Sequence, residues 1–322
     1  MTTAYINLAQ PRLGAKVVHA TDDFFADKAR LILGPEPVFV PDLYDDNGKW
    51  MDGWESRRKR VPGHDHCTVR LGQPGRVFAV EIDTRHFTGN FPPFASVEAC
   101  VFAGEIPPED TKWSELVAKT SLQGDSQARF EVQAKTAFTH IRLHIYPDGG
   151  VARLRVFGRI ERDWSANSAN EIVDLAALEL GGRPIGCNDA HFGTPENMIA
   201  PGLGANMGDG WETRRRREPG HDWAVLALAH PGKISKVLLD TKHFKGNYPD
   251  RFFLQAALCD KLSDSQILAA AKTWPIILPE QKLSADNVHE FALQDSPKIS
   301  HIRLNIIPDG GVSRLRLFGT IA

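Results

Sequence analysis

Fourteen residues of this chain, Asp52-Gly53-Trp54-Glu55-Ser56-Arg57-Arg58-Lys59-Arg60-Val61-Pro62-Gly63-His64-Asp65, return almost letter for letter as Asp209 to Asp222. From Asp52 to Pro92 and from Asp209 to Pro249 the copies run without a gap, and 22 of those 41 positions are identical. A charged tract that only coated a surface would not need Trp, Glu, Arg, His and Asp in the same order twice. The chain is therefore a duplication, and the tract is the first place to look for function. The repeat is far too long for a solenoid unit, so the duplicated object is a domain.

The rest of each copy follows. Tyr5-Ile6-Asn7-Leu8-Ala9 stands opposite Ile172-Val173-Asp174-Leu175-Ala176, and Asp22-Asp23-Phe24-Phe25 opposite Asp189-Ala190-His191-Phe192. Ten residues of the first copy before Asp52 have no counterpart, and the segment Glu36 to Leu43 reads as a loop. The run Val77 to Thr84, matched by Ile234 to Thr241, suits a buried strand. His86-Phe87-Thr88-Gly89-Asn90-Phe91-Pro92 and its copy read as a turn, and strands follow at Ser96 to Phe102 and Phe253 to Cys259. Each copy closes on what reads as a hairpin: His140 to Tyr146, the turn Pro147-Asp148-Gly149-Gly150, and Val151 to Ile160. The equivalent His301 to Ile321 is identical at 16 of 21 positions. Strict alternation puts Ile141, Leu143 and Ile145 toward a core and His140, Arg142 and His144 on the opposite face. Arg153 and Arg155 are expected to join that polar face. Short strands, frequent turns and little helical periodicity predict an all-β chain of two β-sandwich or jelly-roll domains. A polar linker at 161–170 separates them, giving domains 1–165 and 166–322.

Composition bounds the partners. The formal net charge is −2, which gives no global argument for nucleic acid or a membrane surface. No run of apolar residues is long enough to span a bilayer, and the first residues lack the pattern of a secretory signal. Cys67, Cys100, Cys187 and Cys259 fall in no paired spacing and read as free thiols of a cytoplasmic protein.

Arginine matches a carboxylate with two parallel hydrogen bonds. Arg57, Arg58 and Arg60, with Arg214, Arg215 and Arg217, are thus candidate anchors for an anionic ligand, Arg57, Arg58, Arg214 and Arg215 first among them. The competing reading is a solvated face or ion pairs, and strand geometry lets only alternate members of the tract meet one ligand. His64 with Asp65, and His221 with Asp222, place an imidazole beside a carboxylate after a Pro-Gly turn, a pairing suited to proton transfer. They could equally be turn residues that satisfy backbone donors. Glu55 and Glu212 are candidate acids or salt-bridge partners. His86, Asn90, His243 and Asn247 in the duplicated turn are candidate substrate contacts. His64-Asp65-His66 has a spacing that could serve a metal, but Trp223 replaces His66 in the second copy, so no ligand set is shared. No phosphate-binding glycine loop or nucleophile elbow is present.

The tract, followed by Asp-Thr-x-His-Phe-x-Gly-Asn and by Arg-Leu-x-Ile-x-Pro-Asp-Gly-Gly-Val-x-Arg-Leu-Arg, resembles the allantoicase family in both copies, from about Tyr5 to Ile321. The resemblance implies two galactose-binding-like jelly rolls and hydrolysis of allantoate to (S)-ureidoglycolate and urea in purine catabolism. Allantoate, a small carboxylate with two ureido groups on one carbon, would be the substrate. No cofactor is then required, although activation by a divalent metal stays open, and a homo-oligomer is expected. Lys59 and His66-Cys67 depart from the family run. Two other readings remain: a non-catalytic ligand-binding jelly roll, and an enzyme acting on a related ureide such as ureidoglycolate.

Overall fold

A computed structural model describes residues 5–168 and 170–322. The chain divides into two compact units, Tyr5–Arg162 and the remainder from Asp163, each an all-β sandwich with the same strand order. In the first unit the strands are β1 (Ile6–Asn7), β2 (Lys16–Ala20), β3 (Tyr44–Asp45), β4 (Gly48–Lys49), β5 (Trp54–Glu55), β6 (Asp65–Asp83), β7 (Phe94–Cys100), β8 (Ser114–Ser121), β9 (Gln127–Glu131), β10 (Phe138–Tyr146), β11 (Gly150–Val151) and β12 (Arg153–Ile160). The second repeats them without the small β3–β4 pair: β13 (Val173–Asp174), β14 (Arg183–Cys187), β15 (Trp211–Glu212), β16 (Asp222–Asp240), β17 (Arg251–Ala257), β18 (Ile276–Lys282), β19 (Val288–Ala292), β20 (Ile299–Ile307), β21 (Gly311–Val312) and β22 (Arg314–Ile321). A short helix, Asp264–Ala270, is added between β17 and β18 and is opened by a capping box of Ser263 with Gln266. No helix among the described residues is long and apolar enough to cross a membrane.

The 19-residue strand β6 organises the first unit. It begins at Asp65, directly after the charged tract, well before the run at Val77 where the sequence suggests a strand. Its first part lies between β2 and β10, and its last part between β9 and β12. One strand thus passes from one layer of the sandwich to the other, and β16 does the same in the second unit. The core between the layers includes Cys67, Val69, Ile82, Val97, Leu154 and Val156, with Ile141, Leu143 and Ile145 of β10 at 0 % exposure. Burying each of these three aliphatic side chains contributes about 1.5–3 kcal/mol.

The expected closing hairpin is not one. β10 pairs with β6 and β7, whereas β12 pairs with β6 and β1. The two strands flank different halves of β6, and the turn between them crosses from layer to layer. Alternation specifies which face a strand buries but not which strand lies beside it. For the same reason Arg153 and Arg155 do not join the face of His140, Arg142 and His144. Arg153 is fully buried: its guanidinium donates to Asp52 Oδ2 at 2.8 Å and to the carbonyls of Asp52, Ala152 and Pro35. Arg155 reaches Glu36 and Glu81. His140 is also buried, with Nε2 held by the carbonyl of Glu105 at 3.0 Å.

Candidate active site

The tract leaves β5 and enters β6 by way of Ser56 to His64. Trp54 is wholly buried and donates its indole N–H to the carbonyl of Asp22 at 2.8 Å; Trp211 does the same to Asp189 at 2.9 Å. These two aromatics anchor the tract to the loop before it. Behind them Asp52 and Asp209, the first residues of the tract, accept from the buried Arg153 and Arg314.

The four basic positions then divide by role. Arg57 is taken up by Asp22, with Nε 2.7 Å from Oδ2, and its guanidinium lies over the ring of Phe24. Burial of the Asp22 carboxyl pushes its pKa up, but the backbone and side chain of Arg57 outweigh this and hold it below the usual carboxylate range. Arg214 is held in the same way by Asp189, Nη2 to Oδ1 at 2.7 Å. Lys59 turns to the buried Asp65 at 2.7 Å and Arg216 to the buried Asp222 at 2.6 Å. Lys59, a departure from the family run, therefore keeps the ion pair of its counterpart. Neither Arg60 nor Arg217 forms a hydrogen bond or ion pair among the described residues, and the same holds for Arg58 and Arg215.

Of these, Arg58 and Arg215 line cavities from which Arg60 and Arg217 are absent, and the two cavities correspond. One, of about 440 Å³, is bounded by Glu55, Ser56, Arg58, Asn90, Phe91 and the turn Pro147-Asp148-Gly149. The other, of about 680 Å³, is bounded by Glu212, Thr213, Arg215, Asn247, Tyr248 and Pro308-Asp309-Gly310. Four segments apart in sequence meet at each: the tract, the Gly-Asn turn, the loop that carries Phe25 or His191, and the Pro-Asp-Gly-Gly turn. The last sits tight against the second. Gly149 has φ +138°, and a Cβ there would lie 2.7 Å from Pro92 N and 2.8 Å from Asn90 O; Gly310 is the same in the second repeat. The N–H of Gly150 donates to the carbonyl of Asn90 at 2.7 Å. Asp148 Oδ2 accepts from the backbone of Lys59 at 2.7 Å, and Asp309 from that of Arg216 at 2.9 Å.

Within each cavity the glutamate and the asparagine are in contact. Asn90 Nδ2 donates to Glu55 Oε1 at 2.7 Å, and Asn247 donates to Glu212. Burial pushes the Glu55 carboxyl above the ordinary glutamate value, opposed by the Asn90 hydrogen bond. A carboxyl group so placed can hold or take a proton, beside an unpaired guanidinium suited to an anion.

The other candidates stand elsewhere. His64 does not line the cavity; it shares a hydrogen bond with His144 at 2.9 Å, and His144 in turn meets Glu98 at 3.0 Å. Desolvation, then the neighbouring His144, lowers the pKa of His64. In the second repeat His221 meets Asn305 at 3.0 Å. Asp65 also accepts from Thr21, and Asp222 from Asn188, while the second carboxylate oxygen of each is buried without a partner. His86 and His243 sit at positive φ in their turns, with ring nitrogens satisfied by the carbonyls of Pro37 and Gly204. Among the described residues no group of three or more His, Cys, Asp or Glu side chains is disposed to hold a metal ion.

Sequence reasoning did not single out Asp22, Asp189, Asp148, Asp309 or the cavity walls Phe25 and Phe91. The identity of the two Pro-Asp-Gly-Gly turns was the available signal for the second pair. The gapless match of Phe24 with His191 is also off by one. Phe25 N and His191 N both donate to the carbonyl of the cavity glutamate, and the bridges that follow join Ala26 to Glu55 and Phe192 to Glu212.

Residues 6–161 and 173–322 each match the allantoicase repeat model. The chain is 56% identical over 324 residues to a probable allantoicase 2 of Burkholderia pseudomallei, covering all of this chain and 96% of that protein. It is 55% identical over 317 residues to a probable allantoicase of Photobacterium profundum, covering 98% and 96%. The crystal structure of allantoicase from Saccharomyces cerevisiae superposes with a TM-score of 0.83 at 34% identity, over 99% of this chain and 94% of the yeast chain. With both repeats matched in sequence and the fold matched over its length, the chain belongs to the allantoicase family.

Proposed function

We propose that this chain hydrolyses allantoate to (S)-ureidoglycolate and urea, and that the cavities around Glu55 and Glu212 receive the substrate. The observation that carries the placement is the pair of unengaged guanidinium groups, Arg58 and Arg215, each lining a cavity that also holds a Glu–Asn contact. A substrate with a carboxylate at one end and N–H and C=O groups at the other needs this combination. The guanidinium takes the carboxylate in two parallel hydrogen bonds. The asparagine amide and the glutamate oxygens match the C=O and N–H groups of a ureido arm. The glutamate is also the group that takes a proton from the attacking water, a role worth typically about 10²–10⁴-fold in rate.

In this reading Arg57 and Arg214 hold the loops of Asp22 and Asp189 in place. His64, Asp65, His221 and Asp222 brace the tract from behind, and His86 and His243 shape the turns that carry Asn90 and Asn247. The repeats are two structural domains, 1–165 and 166–322. Four free cysteines fit a reducing compartment, and we take the protein to act in the cytoplasm as a homo-oligomer without a required cofactor.

Urea release by the purified chain from allantoate, with ureidoglycolate as the comparison substrate, tests the reaction. Absence of urea from allantoate overturns it. Glu55→Gln and Glu212→Gln together test the placement: a folded double variant with wild-type turnover removes these cavities from the reaction.

A further inference from the structure

The two cavities share one plan but differ chemically along their walls: Asp250 lines the second where Pro93 lines the first, Phe192 lines only the second, and two further differences concern groups that can carry a proton. In the first repeat Phe25 donates its backbone N–H to the carbonyl of Glu55 at 3.2 Å; in the second His191 donates to the carbonyl of Glu212 at 3.0 Å. An imidazole therefore stands on the second wall where the first has a phenyl ring. The residue after the cavity asparagine differs likewise: Phe91 follows Asn90, and Tyr248 follows Asn247. Among the described residues, the ring nitrogens of His191 and the hydroxyl of Tyr248 make no hydrogen bond. His191 touches the edge of Phe192 at 4.2 Å between ring centroids and is otherwise exposed.

Resting on the assignment of these cavities to allantoate, we infer that the second repeat breaks the C–N bond with His191 as proton donor and Tyr248 as a substrate hydrogen-bond donor, while the first repeat binds ureido carboxylates without turning them over. Urea is a poor leaving group unless its nitrogen is protonated as the bond breaks. The imidazolium of His191 gives its proton to the departing ureido nitrogen. The C–N electron pair goes to that nitrogen, and urea leaves. The remaining ureido nitrogen supplies its lone pair to the central carbon as a C=N bond. Water then adds to that carbon, and its proton passes to Glu212. One water has been consumed, and exchange of one proton with solvent restores the Glu212 carboxylate and the His191 imidazolium. Phe25 and Phe91 have no proton to give at the matching places, although Arg58, Glu55 and Asn90 keep the means to bind.

The substitution His191→Phe installs the residue that the first repeat already carries at this place, on an exposed wall, so the fold tolerates it. We expect kcat to fall by about a hundredfold or more, as for loss of a general acid, with KM changed far less. Titration with ureidoacetate, the carboxylate with a single ureido arm, should still find two sites per full-length chain. Tyr248→Phe should lower turnover in the same direction. Glu212→Gln/Arg215→Ala should abolish turnover and reduce the ureidoacetate stoichiometry from two to one. Wild-type kcat in His191→Phe, or half the turnover kept by Glu212→Gln/Arg215→Ala, overturns the asymmetry while leaving the cavities as substrate sites. Absence of any ureidoacetate binding, together with full activity of Glu212→Gln/Arg215→Ala, overturns the assignment of the cavities itself.

Discussion

Lys59 and Asp65 are joined at 2.7 Å, with the carboxylate almost entirely buried and the ammonium partly so. The pair ties the middle of the charged tract to the first residue of β6. Arg216 and Asp222 repeat it. Removing one member of a buried pair leaves the other charge without compensation. Lys59→Ala is therefore expected to destabilise the first repeat by about 3–5 kcal/mol. Lys59→Arg, which copies the second repeat, should change stability little. Urea unfolding of both variants measures the difference, and equal midpoints for Lys59→Ala and wild type would remove the pair as a support.

Arg57 and Arg58 are neighbours with different occupations, one held by Asp22 and the other unengaged at a cavity. An exposed ion pair such as Arg57–Asp22 contributes about 0–1 kcal/mol. A guanidinium bonded to a carboxylate ligand contributes about 1.5–3 kcal/mol, or roughly ten- to a hundredfold in affinity. Arg58→Ala should weaken ureidoacetate binding in the first repeat by that factor, and Arg57→Ala by much less. Calorimetric titration of the two variants side by side checks the order, and the reverse order contradicts it.

Glu55 is pushed up by burial, so its ionised form is less comfortable in the folded state than in the unfolded chain. Its contribution to stability is complete below the ordinary glutamate value and is lost as pH rises through the higher folded value. Glu55→Gln should match wild type in acid and be the more stable at neutral pH. Thermal melts across pH 4 to 8 test the sign, and a less stable glutamine variant at neutral pH contradicts it.

His66 runs the opposite way. Burial, then Arg142, His144, His19 and His64 around it, lower its pKa to about 4. Its contribution is present above the ordinary histidine value and is lost as pH falls toward about 4. The ring is partly exposed, so solvent screening reduces the effect to about 1–2 kcal/mol. His66→Trp, the residue of the second repeat, should remove this part of the acid destabilisation. Unfolding at pH 7 and at pH 4.5 measures it; an unchanged difference in the variant would count against His66 as the source.

The duplication, the all-β character, the apolar face of β10 and the importance of the tract were determined by the sequence alone. They depend on residue order and on local alternation, which a linear string records. Glu55, Arg58 and Asn90 could be named as candidates, but not as members of one cavity. The grouping was decided by tertiary structure, because the tract, the Gly-Asn turn and the Pro-Asp-Gly-Gly turn are brought together by strands that pair far along the chain. Tertiary structure also sorted four similar cations. Arg57 found Asp22, Lys59 found Asp65, and Arg58 and Arg60 found no partner among the described residues. Charge and spacing are alike at these positions; what differs is the partner each side chain meets, and a partner is a matter of position in space.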